Sequence, residues 1–308
     1  MKIRPLYQFA AFICFSIPVH SADTTKSASQ NPSPMVEHTR KHERIPPKEL
    51  VGVKLVLPAA LPKVVEVFIP QKSSQSESFD VLIHFLGASY IVQNAAENYE
   101  GNLFAAMVNL GAGSKIFNDA FMDTNTFALL IDSIRAGVSS VFHREITFRR
   151  IVLSGFSAGY GAIRRIMSTP ENYRRVDAVL LLDGIHASYS PEGKVLVEGG
   201  IVDSADLDLY LKLADDASGP QSKKQFLITH SEIFPGTYVS TTEATDYLLA
   251  KLGITRAPVL LWGPLGMQQL SEAKKNRFVV MGFAGNTAPD HVDHLHALSF
   301  FLNFLVKL

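Results

Sequence analysis

The sequence predicts an α/β fold: a mostly parallel central sheet with helices on both faces. Three observations carry this. Six short runs are almost uninterruptedly apolar: Phe79 to Phe85, Phe104 to Leu110, Ile151 to Ser154, Val176 to Leu182, Phe226 to Thr229 and Phe278 to Phe283. A strand covered on both faces needs apolar side chains at every position, whereas a half-exposed strand alternates. Helix-compatible stretches follow or separate these runs, at Asp123 to Ser139, Gly159 to Met167, Thr242 to Leu252 and Val292 to Val306. Strands alternating with helices form a sheet that is layered on both sides. Finally, 308 residues with 47% hydrophobic and 19% charged side chains supply one large core.

The same composition excludes disordered, collagenous and coiled-coil chains. Lys plus Arg is 29 and Asp plus Glu is 29, so no net positive charge marks a nucleic-acid partner, and none is expected.

In chain order, residues 1–22 read as a secretory signal peptide. Lys2 and Arg4 precede an apolar stretch from Leu6 to Val19, and the small residues Ser21 and Ala22 follow. The stretch is too short to span a bilayer comfortably, so no stable membrane span is expected after cleavage. The expected destination is a bacterial periplasm or the medium. Cys14, the single cysteine, lies inside this segment, so the mature chain would have no disulfide, thiolate nucleophile or thiolate metal site. Residues 23–49 are polar and punctuated by Pro32, Pro34, Pro46 and Pro47, which reads as a flexible leader. One domain of residues 50–308 follows, with a small insertion at about 186–225. It opens with two β-like runs, Val51 to Leu57 and Val64 to Ile69, the second alternating only partly as near a sheet edge. Thr242 with Glu243 and Thr245 suits a capped helix start.

The run Ile151 to Ser154 leads into Gly155-Phe156-Ser157-Ala158-Gly159, followed by a helix-compatible segment. A serine between two such glycines is common by chance, but a strand before it and a helix after it give the pattern meaning. The small flanking residues let strand and helix approach closely, and the turn lifts the serine hydroxyl above the sheet. Ser157 is therefore the candidate nucleophile. A tetrahedral intermediate needs two N–H donors. Ala158 supplies one, and the glycine-bearing turn Leu86-Gly87 after strand Val81 to Phe85 supplies candidates for the other. His84 precedes that turn and reads as a structural member of it.

A serine hydroxyl needs a neutral imidazole to take its proton. The last strand runs into Ala284 to Asp290, and His291-Val292-Asp293-His294-Leu295-His296 opens the closing helix, with Asp290 able to cap it. His291 is the candidate base and His294, one turn on, the alternative; His296 reads as packing or surface. The same cluster invites a zinc reading through His291, His294 and Asp290 or Asp293. No H-E-x-x-H pattern supports it, and a metal would leave the Gly155 to Gly159 turn unexplained. No metal or cofactor is expected. Two residues are candidates for the acid. Asp183 ends the run Val179 to Leu182, and Glu232 follows the run Phe226 to Ser231. Asp183 alone abuts a fully apolar run and needs a partner there, whereas both satisfy the chain order serine, acid, histidine.

With these residues the chain resembles the α/β-hydrolase superfamily from Val51 to Leu308. Gly155 to Gly159 matches its nucleophile elbow, His84-Phe85-Leu86-Gly87 resembles its histidine-glycine oxyanion loop, and His291 holds the usual place of its base. The resemblance implies acyl transfer to Ser157 followed by hydrolysis, with the acid most often at the position of Glu232 and in some members at that of Asp183. Asn109 to Ser114 is glycine-rich but lacks dinucleotide-binding spacing, and reads as a loop near the site. Export favours a small-molecule or cell-envelope carboxylic ester as substrate. A cell-wall peptide or an acylated glycan as substrate, or a binding module without turnover, are the alternatives. Tyr160, Phe156 and Tyr90 are expected pocket walls, and Leu207, Leu209, Tyr210, Leu211 and Leu213 either cap the pocket or form an extra surface helix.

Overall fold

The computed structural model describes residues 41–76 and 78–308. The expected export signal, Cys14 and the expected leader up to residue 40 lie outside the described residues. One ten-stranded sheet organises the rest, in the order β1-β2-β4-β3-β5-β6-β9-β12-β11-β10. Its centre is parallel: β4 (Leu103–Val108), β3 (Ser78–Phe85), β5 (Thr147–Phe156), β6 (Ala178–Leu182), β9 (Gln225–His230) and β12 (Phe278–Phe283). Antiparallel strands flank it, β1 (Gly52–Leu57) with β2 (Val65–Pro70) at one edge, and β11 (Gln268–Lys275) with β10 (Ala257–Trp262) at the other.

The continuous apolar runs are strands buried on two faces. Along β3, Val81, Ile83 and Phe85 enter one core while Leu82 enters the other; along β6, Val179 and Leu181 oppose Leu180 and Leu182. The first core is closed by α3 (Thr126–Phe142), α4 (Tyr160–Met167), α6 (Asp208–Ser218) and α7 (Thr241–Leu252). The second is closed by α1 (Ser89–Glu97), α8 (Ala288–His296) and α9 (Leu298–Leu305). Two short helices, α2 (Ser114–Asp119) and α5 (Pro170–Arg175), complete the set. This is the expected α/β-hydrolase-type sheet with both faces covered.

Several local expectations change. The closing helix is two helices, broken at Ala297 (φ −83°, ψ 6°). The cap of α7 is Ser240 rather than Thr242: its side chain accepts from Glu243 N–H, and the Glu243 carboxylate accepts from the Ser240 amide. Thr287, not Asp290, is the N-cap of α8, and Asp290 is its capping-box partner. In the 186–225 stretch, Leu207, Tyr210 and Leu213 are buried in the core against the sheet, so α6 is a crossover helix between β6 and β9 and does not roof a pocket. A two-stranded hairpin of β7 (Tyr189–Ser190) and β8 (Ile201–Val202) is the remaining ornament there.

Residues 41–49 have no regular structure but touch α8: His42 Nδ1 lies 2.9 Å from Asp293 Oδ2, and the Ile45 amide donates to His296 Nδ1. Among the described residues no helix is long and apolar enough to cross a membrane.

Chain direction locates the site. The connection leaving β3 runs to β4 on one side, and that leaving β5 runs to β6 on the other. Between the carboxyl ends of two such neighbours an open parallel sheet forms a crevice.

Candidate active site

Three adjacent strands leave the sheet at this crevice through a non-glycine residue in the left-handed region: Leu86 after β3 (φ 69°), Ser157 after β5 (φ 48°) and Asp183 after β6 (φ 45°). Each such residue costs about 1–3 kcal/mol, so backbone strain is concentrated where the candidate residues stand. Around Ser157 the chain approaches itself so closely that side chains are excluded. A Cβ on Gly159 would lie 2.2 Å from the Phe85 carbonyl oxygen. That contact binds the end of β3 to the one-turn 3-10 helix Ser157–Gly159, after which α4 begins.

His291 stands in the first turns of α8, its ring 4.5 Å centroid to centroid from Phe156, the neighbour of Ser157. Its Nδ1 lies 2.7 Å from Asp183 Oδ2. A carboxylate only accepts, so Nδ1 carries the proton and Nε2 keeps its lone pair. Asp183 is buried and also accepts from the Ser231 amide at 3.0 Å and the Ser231 hydroxyl at 2.6 Å. Burial pushes its pKa up. The His291 hydrogen bond, the nearby His294 and His291 charges and the Ser231 bond outweigh burial, so the carboxyl sits well below the usual range. It is an anion at any physiological pH.

Glu232 is placed elsewhere. Its carboxylate accepts from the Gly285 amide at 3.0 Å while its own amide donates to the Gly285 carbonyl at 2.8 Å, bracing the loop before α8. The structure brings Asp183, not Glu232, to the imidazole. His294 is buried with its Nδ1 2.8 Å from Thr229 Oγ1 and its ring edge-on to Phe283, beneath the site rather than in its cavity. His296 accepts from the Ile45 amide, and burial with the Arg44 charge lowers its pKa to about 4. The zinc reading finds its histidines divided, His291 facing Asp183 and His294 facing Thr229, while Asp290 and Asp293 lie together beside His42, away from both.

On the β3 side, the Leu86 amide is taken by the Val108 carbonyl at 3.2 Å, which removes Leu86 as a donor to any ligand. Gly87, the other candidate, makes no amide hydrogen bond among the described residues; its carbonyl accepts from the Asn109 side chain at 3.0 Å. His84 supports this turn as expected. It is fully buried, Nε2 donates to the Leu86 carbonyl at 3.1 Å, and Nδ1 accepts from the Ser154 hydroxyl at 3.1 Å. Burial lowers its pKa to about 4, against the opposing effect of the Leu86 bond, which keeps it neutral. Ala158 is the second residue of the 3-10 turn, where amides have no intrahelical acceptor.

Two cavities meet at Ser157. One of about 300 Å³ also contains His291, Asp183, Asn286 and Ile233. The second, of about 470 Å³, is lined by Tyr160, Arg164, Ser188 and Asp206 beside Ser157 and Ala158, with Gly113 and Ser114 of the glycine-rich loop. His186 and Tyr238 border both. Of the expected walls, Tyr160 lines the second cavity and Phe156 backs His291, while Tyr90 packs near His296 and lines neither. Sequence reasoning missed Gly184, Ser231, His186 and Tyr238. An Asp-Gly pair after an apolar run is a turn signal that would have singled out Gly184; nothing local marks the others.

No family model matches the chain, and no curated protein does. Among solved structures it is similar to Est1E from Butyrivibrio proteoclasticus, at 10% identity and a TM-score of 0.42, covering 84% of this chain and 100% of that one. It is also similar to the enterobactin esterase FES from Shigella flexneri, at 10% identity and a TM-score of 0.49, covering 85% of this chain and 61% of that one. Likenesses this distant say nothing about the chemistry of the site, which stands on its own geometry.

Proposed function

We propose that the chain is an exported serine hydrolase that cleaves carboxylic esters through an acyl-enzyme on Ser157. The observation that carries the reading is the hydrogen bond from His291 Nδ1 to the buried Asp183 carboxylate, in a cavity shared with a serine on a strained strand-to-helix turn.

In this mechanism, Nε2 of His291 takes the Ser157 hydroxyl proton as Oγ attacks the ester carbonyl. Asp183 stays ionised and stabilises the imidazolium. The oxyanion receives the Ala158 and Gly87 amides, donors that need no reorganisation as charge develops. The imidazolium then protonates the leaving alkoxide. Water, deprotonated by the same nitrogen, releases the acid and restores the serine. His294 and Glu232 have no proton to move in this scheme; they hold α8 and the loop before it.

Hydrolysis of p-nitrophenyl acetate by the chain from Asp23 onward tests the reading. Ser157→Ala and His291→Ala should each lose at least about 10³-fold in kcat, and a serine-directed phosphonate should label wild-type Ser157. No turnover together with no labelling overturns it. Export is tested separately: expressed with residues 1–22, the protein should appear in the periplasm with its first residue at Ala22 or Asp23.

A further inference from the structure

We propose that the cavity of about 470 Å³ beside Ser157 is a carbohydrate subsite, so that the ester cleaved is one borne by a sugar. This rests on the serine-hydrolase reading above and adds the class of substrate.

The argument begins with what lines the cavity. Arg164, in the second turn of α4 and seven residues after the serine, donates from Nη1 to Asp206 Oδ1 at 3.0 Å. Both side chains are partly open to solvent, at 29% and 30% of their surface. The other carboxylate oxygen is held by the Ser188 amide at 2.9 Å, so the pair is fixed from two elements. Among the described residues Arg164 spends only that one of its donors on hydrogen bonding. The guanidinium also lies over the Tyr160 ring, 5.7 Å from its centroid.

Opposite charges this close cancel, so the cavity offers donors and acceptors without a net charge. An alkyl chain seated here would desolvate a guanidinium and a carboxylate and return no hydrogen bond, which is costly. An anionic substrate would gain from Arg164 and lose against Asp206. A neutral polyhydroxylated group satisfies both, because each hydroxyl donates and accepts.

Aromatic rings supply the second element of such a site. Tyr160, His186 and Tyr238 form an edge-to-face series, with centroids 5.5 Å and 4.9 Å apart. Of these, Tyr238 is 44% exposed and its apolar face suits the C–H face of a sugar ring, while Tyr160 is buried with Arg164 over its ring. His186 Nδ1 donates to the Val239 carbonyl at 3.2 Å, so Nε2 is an acceptor and has no hydrogen bond among the described residues. Burial lowers the pKa of this imidazole and keeps that acceptor in place. The volume lies within the roughly 300–1,000 Å³ range of small-molecule sites.

The test is the ratio of kcat/KM for a monoacetylated sugar to that for n-hexyl acetate, which shares the acyl group but carries no hydroxyl. Monoacetates of glucose, xylose and N-acetylglucosamine are compared with hexyl acetate and with monomethyl succinate as the anionic ester. We expect at least one sugar acetate to exceed hexyl acetate by about tenfold or more, as a hydrogen-bonding site discriminates. That ratio should fall at least about tenfold in Arg164→Met and Asp206→Asn. A ratio is independent of the fraction of folded enzyme, so a poorly folding variant still reports. The inference is overturned if no sugar acetate exceeds hexyl acetate, if monomethyl succinate is preferred to all, or if both variants leave the ratio unchanged. Should no ester turn over, the serine-hydrolase reading has failed. Saturation-transfer NMR of the sugar acetates on Ser157→Ala then decides the subsite by itself, since binding weakened by Arg164→Met upholds it and no binding overturns it.

Discussion

Gly184 lies against the backbone of Ser157: a Cβ on it would stand 2.3 Å from the serine's carbonyl oxygen and 2.7 Å from its amide nitrogen. The residue that follows Asp183 thus sets how closely the exit of β6 can approach the turn after β5. Acid and nucleophile come from separate strands, and this contact is where their positions are tied. Gly184→Ala should therefore push the turn aside. A displacement near 1 Å costs about 10²-fold in rate, so kcat for p-nitrophenyl acetate should fall by at least that much in protein that remains folded by circular dichroism.

Asp183 and Glu232 should separate sharply. Asp183→Asn leaves the shape but presents an amide to His291 Nδ1, which favours the wrong tautomer, and kcat should drop about 10⁴-fold. Glu232→Gln keeps an oxygen for the Gly285 amide and touches no part of the imidazole, so kcat should stay within about fivefold. Steady-state kinetics of the pair measures both; equal losses would return Glu232 to the site.

Stability should fall with acidity below about pH 6.5. His84 and His230 are buried and each carries a pKa lowered to about 4, chiefly by burial. An unfolded histidine takes its proton near 6.5, whereas these take theirs only near 4, so between those values the unfolded state binds more protons. The stability they contribute is fully present above about 6.5 and is lost as pH falls toward 4. Each pKa unit is worth about 1.4 kcal/mol, so each group accounts for about 3 kcal/mol over the window. Urea unfolding at pH 7.5, 5.5 and 4.5 should show this decline, and His84→Gln, which removes one of the two groups, should make it shallower and leave the His230 part.

Asp80 on β3 is fully buried, and Arg149 and Arg150 reach it at 2.8 and 2.7 Å, with the Tyr99 hydroxyl as a further donor. Burial raises its pKa, but the two guanidinium bonds and the Tyr99 bond outweigh this and hold the carboxyl below its usual value. Asp80→Ala should cost about 3 kcal/mol, toward the lower end for breaking a buried pair because Arg149 is half exposed. Chemical denaturation checks the loss. The rate per active site, titrated with phosphonate, should be nearly unchanged, since Asp80 lies at the opposite end of β3 from Leu86 and Gly87.

Part of this molecule was legible in the residues alone. Where a strand is covered on both faces, every position is apolar, and each of the six runs was found within a few residues of its strand. The polar strand β11, Gln268–Lys275, carries no such mark. It exists because β12 on one side and β10 on the other satisfy its backbone, and such pairing leaves little trace in composition. Likewise α1 has a buried face of Ile91, Val92, Ala95 and Ala96, too short a pattern to stand out from its surroundings.

The sequence by itself determined the sheet's core and the turn at Ser157, because both are local. A continuous apolar run and two glycines around a serine constrain their own few residues directly. Only the tertiary structure decided that Asp183 rather than Glu232 meets His291, 108 residues further along the chain. It also placed His294 under the site against Thr229, gave the Leu86 amide to Val108, and set Arg164 and Asp206 face to face beside the serine. These depend on which strand ends become neighbours and how each chain segment leaves the sheet. Such relationships are fixed by packing across the whole core, and no stretch of sequence carries them alone.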